Sequence, residues 1–432
     1  MIQKKDIVDQ SLARATHLLV APLLVMLSIS ACGTTPAAPQ PTAFATNAPV
    51  ATTLPTTQPT AAPPLVAEQP TAQLPAPTAV AETLPAPLYF IDGTSGQIMQ
   101  IGRDGTTLRQ ITNETQTINS FAVSPANGTL VYAVGDWQSE KRAIVYLNAQ
   151  GEGRTELVSG PVSAPIFSPS GEISFETTAP TAGWEIGKDT SAPGVWSTTP
   201  RGGRPSRVIE NDPVSDMDNP PEGARSFHPV AWSPDASSLL LLVTPNRGNR
   251  PAGDVSGRGM AVLHRGGELI EIAKLGEQPR ACVEATWSRD SASVLCSNSY
   301  QLPNSPALWR ANAQTGAAEE LIKGEEGGNV SLVARAQQIN DDSLMLFRAQ
   351  GAAYAASEFT LQQLHLDGSV PAELNSAALD FGAASSAAWA PDHSGAAVLV
   401  NTASRQALRW VPANGDAPTT LPGNGYGPQW GK

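Results

Sequence analysis

One pattern recurs along residues 88–432: an apolar strand, a tight turn containing glycine, and a second strand in which apolar and polar residues alternate. The segments AIVYLNAQGEGRTELV, GMAVLHRGGELIEIA, FTLQQLHLDGSVPAELN and ALRWVPANGDAPTTL carry it. The turn glycines are Gly105, Gly151, Gly203, Gly267, Gly316, Gly368 and Gly415, with successive separations of 46, 52, 64, 49, 52 and 47 residues. Asp104-Gly105, Asp367-Gly368 and Asn414-Gly415 suit two-residue hairpin turns, because glycine accepts the positive φ that such turns require. Hairpins repeated at this period are the mark of an array of small sheets, and propellers come first among such arrays.

A second element alternates with the hairpins. It is a short apolar strand ending in an aromatic residue, then Ser-Pro-Asp/Ser or a variant, then a strongly apolar strand: FAVSPANGTLVYAV, APIFSPSGEISFET, VAWSPDASSLLLLV, ATWSRDSASVLCSN and AAWAPDHSGAAVLV. These units resemble the WSPDG-type repeat of TolB-like (PD40) β-propellers. The resemblance spans residues 88–432, although SLVARAQQINDDSLMLF lacks the aromatic-Ser-Pro core. It implies an all-β, seven-bladed β-propeller; six or eight blades would follow if the degenerate unit were misassigned. The first hairpin precedes the first aromatic-Pro strand, whereas Gly427-Pro428-Gln429-Trp430 follows the last hairpin. The C-terminal strand is therefore expected to complete the blade begun by LYFID and QIMQIG, which closes the ring and spares it two open edges. Trp232, Trp287, Trp389 and Trp430 share one motif position and are expected between blades.

Composition changes the picture ahead of residue 88. Lys4, Lys5 and Arg14 precede an apolar run from Leu18 to Ile29, too short for a comfortable membrane span, and small residues follow. Ile29-Ser30-Ala31-Cys32 resembles the lipobox of bacterial lipoproteins, which implies a signal peptide over residues 1–31 and lipid on Cys32. Acyl chains hold a protein at a bilayer through about 0.8 kcal/mol per buried methylene. Of the 38 prolines in the chain, 13 fall between Gly33 and Pro87, where Glu68 and Glu82 are the only charges. Residues 32–87 thus read as the lipidated Cys and a disordered Pro/Thr/Ala-rich tether. The domain expected to fold is 88–432.

Charge narrows the partners. A net charge of −12 argues against a general nucleic-acid binder, which needs clustered Lys and Arg. The three cysteines exclude a disulfide-dense miniature fold and a four-thiolate zinc site. Cys282 and Cys296 flank the turn SRDSAS on neighbouring strands. A disulfide and a pair of buried thiols both fit, since a one-residue slip would put them on opposite faces.

Three long connections, at residues 178–192, 210–227 and 244–258, are sorted by the propeller topology to one face and to adjacent blades. Within or beside them stand Trp184, Asp216, Asp218, His228, Arg247 and Arg250, the ligand-binding candidates, because aromatic and Arg side chains dominate binding hot spots. Asp216-x-Asp218 followed by Asn219-Pro220-Pro221 departs from an EF-hand loop, so no metal is expected, and no cofactor. The sequence contains no Gly-x-Ser-x-Gly, His-Glu-x-x-His or P-loop motif. Only Gly431 and Lys432 follow the closing strand, so a hydrolase domain like that of prolyl oligopeptidases is not expected. The Pro-rich tether occupies the place of TolB's additional N-terminal domain, which limits the resemblance to the propeller. The expectation is a monomeric, lipid-anchored envelope protein whose propeller binds a protein or glycan without catalysis. The alternative is an extracytoplasmic propeller enzyme, a metal-assisted lactonase or glycan-cleaving hydrolase.

Overall fold

The structure, a computed structural model, describes residues 82–432 except 137–140, 178–192, 215–220, 247–257, 274–280, 301–304, 353–357, 368, 370–371, 381–385 and 403–405. The expected signal peptide, Cys32 and most of the tether lie outside the described residues, as do Trp184, Asp216, Asp218, Arg247 and Arg250. Strands are the only regular elements among the described residues, and they form seven antiparallel sheets. The protein is a seven-bladed β-propeller.

Ring closure is as expected. Gly425–Trp430 pairs with Leu88–Asp92, and Ile98–Ile101 and Leu108–Gln110 complete that first blade. The degenerate unit is a full blade, formed by Asn329–Asn340, Ser343–Ala352, Glu358–His365 and Ala372–Asp380, with Glu325–Glu326 added at its edge. Gln338 occupies its aromatic position and accepts the Arg289 amide of the preceding blade at 3.0 Å. The fold tolerates the missing motif because longer strands and an apolar interior, Phe347, Phe359 and Leu361 among them, bury the sheet without it.

The first strand of each blade faces the centre of the ring, and the repeated tryptophans tie these strands together. Trp287 Nε1 donates to the Ala231 carbonyl at 3.1 Å, Trp389 to the Arg335 carbonyl at 2.7 Å and Trp430 to the Ala388 carbonyl at 2.9 Å. Trp232 donates instead to Ser174 Oγ at 3.0 Å. Each indole thus packs at the seam between blades, Trp232 and Trp287 buried and Trp389 and Trp430 partly so, and satisfies its one donor on the neighbouring blade. Gln429 does the same across the closure, donating to the Phe121 carbonyl at 2.7 Å and accepting the Val123 amide at 3.0 Å.

Turn chemistry explains both repeats. Six of the expected turn glycines, from Gly105 to Gly415, have φ between 69° and 116°; the seventh, Gly368, lies outside the described residues. In the Ser-Pro-Asp turn the Asp is a cap: Asp235 accepts from Ser233 Oγ at 2.6 Å and from the Ser237 amide at 2.9 Å. Those donors, the Ser233 hydroxyl first, hold its carboxyl down to about 2. The next residue is left-handed, Gly128 and Gly171 in two blades but Ala236, Ser291 and His393 in three others. A side chain in that conformation costs about 1 kcal/mol relative to glycine. Ala236→Gly is therefore expected to stabilise the protein by roughly that amount, read as a higher guanidinium midpoint at unchanged slope.

The packed region begins before residue 88. Leu84 is 1 % exposed within the first-blade core, and the Thr83 and Leu84 amides both donate to the Arg103 carbonyl at 2.8 Å. Cys282 and Cys296 are joined by a disulfide, with Cα atoms 5.1 Å apart.

Candidate functional site

Antiparallel strands place the Ser-Pro-Asp and glycine turns at one face of the ring, and the connections between second and third strands and between blades at the other. The roots of the three long connections meet on this second face. Pro193, which ends the first, accepts the Asn211 amide at 3.0 Å. Asn246, which opens the third, donates from its backbone to the Ala224 carbonyl at 2.7 Å and from its side chain to the Asp212 carbonyl at 2.9 Å. Both acceptors belong to the middle connection. Asn211 Oδ1 also accepts the Phe227 amide at 2.9 Å, which pins that connection to the first strand of the fourth blade, Arg225–Trp232.

Arg225 is the electrostatic fastening of these roots. Its Nε lies 2.8 Å from Asp212 Oδ2, its Nη1 2.9 Å from Glu271 Oε1, and its guanidinium 5.3 Å over the Phe227 ring. The Asp212 hydrogen bond pushes its pKa up, with Glu271 adding to the effect. Since the pairs are about one-third exposed, each contributes at most about 1 kcal/mol, and their main result is to orient the backbone.

Beside this fastening lies a chain of polar side chains from two blades. His228 Nδ1 is 3.0 Å from Glu176 Oε1, and His228 Nε2 is 2.8 Å from Thr244 Oγ1. Ser163 Oγ donates to the other Glu176 oxygen at 3.3 Å. Arg142, 6 % exposed on the second blade, has its pKa lowered by burial and raised in part by the charge of Glu176. Both ring nitrogens are thereby engaged, Nδ1 by the carboxylate and Nε2 by the Thr244 hydroxyl, and the tautomer sets which atom of the second pair donates. These contacts fix the plane of a partly exposed imidazole between the third and fourth blades.

Of the ligand-binding candidates from the sequence, only His228 falls among the described residues. The carboxylate that it meets there is Glu176, 52 residues away, which sequence reasoning passed over. A signal was available only in part: Glu176 is the one charged residue of the strand Ile173–Thr177, between Phe175 and Thr177, which are fully buried. Arg225 was also passed over. Glu210, which opens the middle connection, pairs with Arg207 at 2.7 Å. Among the described residues no three of His, Cys, Asp and Glu are grouped so that they could hold a metal ion. His264 and His365 end the third strands of their blades, and each Nδ1 meets a serine hydroxyl, Ser238 at 2.8 Å and Ser343 at 3.0 Å.

No protein-family model matches the chain, and no curated protein matches it by sequence. Solved structures do. TolB from Acinetobacter baumannii aligns with 80 % of this chain and 66 % of its own at 13 % identity and a TM-score of 0.45. A prolyl endopeptidase aligns with 75 % of this chain and 46 % of its own at 10 % identity and a TM-score of 0.51. Puromycin hydrolase aligns with 72 % of this chain and 48 % of its own at 12 % identity and a TM-score of 0.47. The chain thus spans a little under two thirds of TolB and about half of each hydrolase. At these identities the likeness is one of fold alone, and the prolyl endopeptidase, the one of these three with a TM-score above 0.5, is the match that carries it.

Proposed function

We propose that the protein is a lipid-anchored envelope component whose propeller binds a protein or glycan partner at the face where the three connections are rooted. The observation that carries this reading is the hydrogen-bonded junction of Pro193, Asn211, Asp212, Ala224 and Asn246, beside the Glu176–His228–Thr244 chain. A rigid ring that fixes the roots of several long connections together is the usual scaffold for recognition, because the ordering cost is met on folding rather than on binding. The lipobox-like Ile29-Ser30-Ala31-Cys32 and the proline-rich tether support display away from a membrane surface.

The test uses the full-length protein, crosslinked in intact envelopes and recovered by affinity. A reproducible partner is expected. Its affinity for a Glu176→Gln/His228→Ala variant is expected to fall about thirtyfold, the loss of roughly 2 kcal/mol that marks a hot spot. Arg201→Ala, at the opposite turns, should leave it unchanged. No reproducible partner, or one indifferent to the double substitution, overturns the binding face. The anchor is read separately: Cys32→Ala should move the protein out of the detergent phase, and a processed variant that stays membrane-bound sinks the lipidation.

A further inference from the structure

Between the fifth and sixth blades the structure holds a cleft of about 610 Å³. Its walls carry Lys323 from the connection between the blades, and Glu326, Asn329, Ser331, Arg348 and Gln350 from the sixth. Lys323 and Glu326 satisfy each other, Nζ to Oε1 at 2.8 Å. Among the described residues Arg348 has no carboxylate partner. It stands on the strand Ser343–Ala352, opposite Val333 and Thr360, and is only partly exposed. Its Nη2 donates to Ser331 Oγ at 3.3 Å, a hydroxyl that Gln350 Nε2 also approaches at 3.2 Å. Its Nε is buried without a hydrogen-bond acceptor among the described residues. Burial lowers its pKa, and no carboxylate opposes that shift.

An Arg drawn partly out of water is ordinarily matched by a carboxylate, because leaving its donors unfilled costs free energy that folding does not recover. Here Ser331 is shared by two donors and Glu326 is already neutralised by Lys323. Among the described residues no carboxylate is free to accept from Arg348, and the planar fork of a guanidinium suits a carboxylate better than a spherical ion. The other polar groups, the amides of Asn329 and Gln350 and the Ser331 hydroxyl, are donors and acceptors suited to sugar hydroxyls. Leu321 and Leu364 supply a narrow apolar margin. The volume accommodates one or two sugar rings.

We propose that this cleft is a binding site for a carboxylate-bearing saccharide, with its carboxylate accepting hydrogen bonds from Arg348. It lies on different blades from Glu176 and His228, so it stands whether or not a partner docks at that face.

The full-length protein is titrated by calorimetry with glucuronate, glucose, acetate and N-acetylglutamate amide. Saturable binding of glucuronate is expected, at least tenfold tighter than glucose or acetate, together with a concentration-dependent rise in Tm. Arg348→Met should abolish glucuronate binding by tenfold or more while leaving the Tm of the unliganded protein equal or higher, since it removes an unmatched charge. A purely structural arginine would lower it. Should Arg348→Met fail to fold by circular dichroism, Ser331→Ala and Gln350→Ala report on the same cleft, each with a severalfold loss. Equal binding of glucuronate and glucose, undiminished binding by Arg348→Met or by both second variants, acetate as tight as glucuronate, or N-acetylglutamate amide tighter than glucuronate would each overturn the proposal, the last in favour of an acidic peptide.

Discussion

A protein ended at Asn424 should show no cooperative thermal transition and should elute from size exclusion as an aggregate. The truncation removes Gly425–Trp430, the strand that pairs with Leu88–Asp92 and closes the ring. Gln429 gives up both bonds to the neighbouring blade, and Trp430 gives up its bond to the Ala388 carbonyl and its edge-on packing against Trp410, with ring centroids 5.6 Å apart. The Trp430 side chain alone is worth about 3 kcal/mol, the lower end for tryptophan because it is only partly buried. The exposed ladder and the unfastened seam add to that, against a total stability of about 5–15 kcal/mol for folded domains. The freed edge of Leu88–Asp92 is then a template for pairing with other chains. A single substitution probes the same seam. Gly425 passes so close to its partner strand that a Cβ there would lie 2.1 Å from the Ile91 carbonyl oxygen and 2.3 Å from the Phe90 ring, so Gly425→Val should destabilise by several kcal/mol. A truncated protein that melts within a few degrees of the full chain would show that the six remaining strand sets close without it.

Loss of the Cys282–Cys296 disulfide should lower stability by about 3 kcal/mol, because the bond closes a loop of 14 residues in the unfolded chain. The variant to use is Cys282→Ala/Cys296→Ala. Both positions are buried, at 3 % and 0 % exposure, and serine would add hydroxyls without room for partners. Guanidinium midpoints of the oxidised protein, the reduced protein and the variant separate the bond from the packing: oxidised should exceed the other two, and those two should nearly coincide. Equal midpoints for oxidised and reduced protein, or thiols at Cys282 and Cys296 that react in denaturant without reductant, would refute the prediction. The bond matters here because it braces the entry to the fifth blade, where Cys282 sits just ahead of the short strand Glu284–Trp287.

Much of this architecture is legible in the amino-acid sequence. The hairpin glycines announce themselves because a positive φ is a local demand on one residue, and the aromatic-Ser-Pro strands because each turn caps itself through its own Asp and Ser. Even the circular offset of the repeats followed from the order of elements, with Trp430 trailing the last hairpin. Less legible was the unit from Ser331 to Phe347, where Gln338 replaces the aromatic residue and the burial of Phe347 and Phe359 upholds the blade in its place. The start of the packed region was also obscure, since Leu84 lies in a proline-rich stretch that gives no strand signal.

Sites are another matter. His228 drew attention in the sequence because it follows an acidic connection, but the carboxylate it meets, Glu176, comes from the preceding blade. The pair is made by two blades meeting side by side, and no local pattern encodes which side chains such a seam brings together. Arg348 is more extreme, since its meaning lies in the acceptor that its surroundings lack. Periodic, local information, the turns, strands and their number, is written along the chain because each element satisfies its own backbone. Cross-blade pairing, the knotting of Pro193, Asn211 and Asn246 at one face, and the unmatched charge between the fifth and sixth blades exist only once the ring is closed, because closure alone sets which distant residues share a wall.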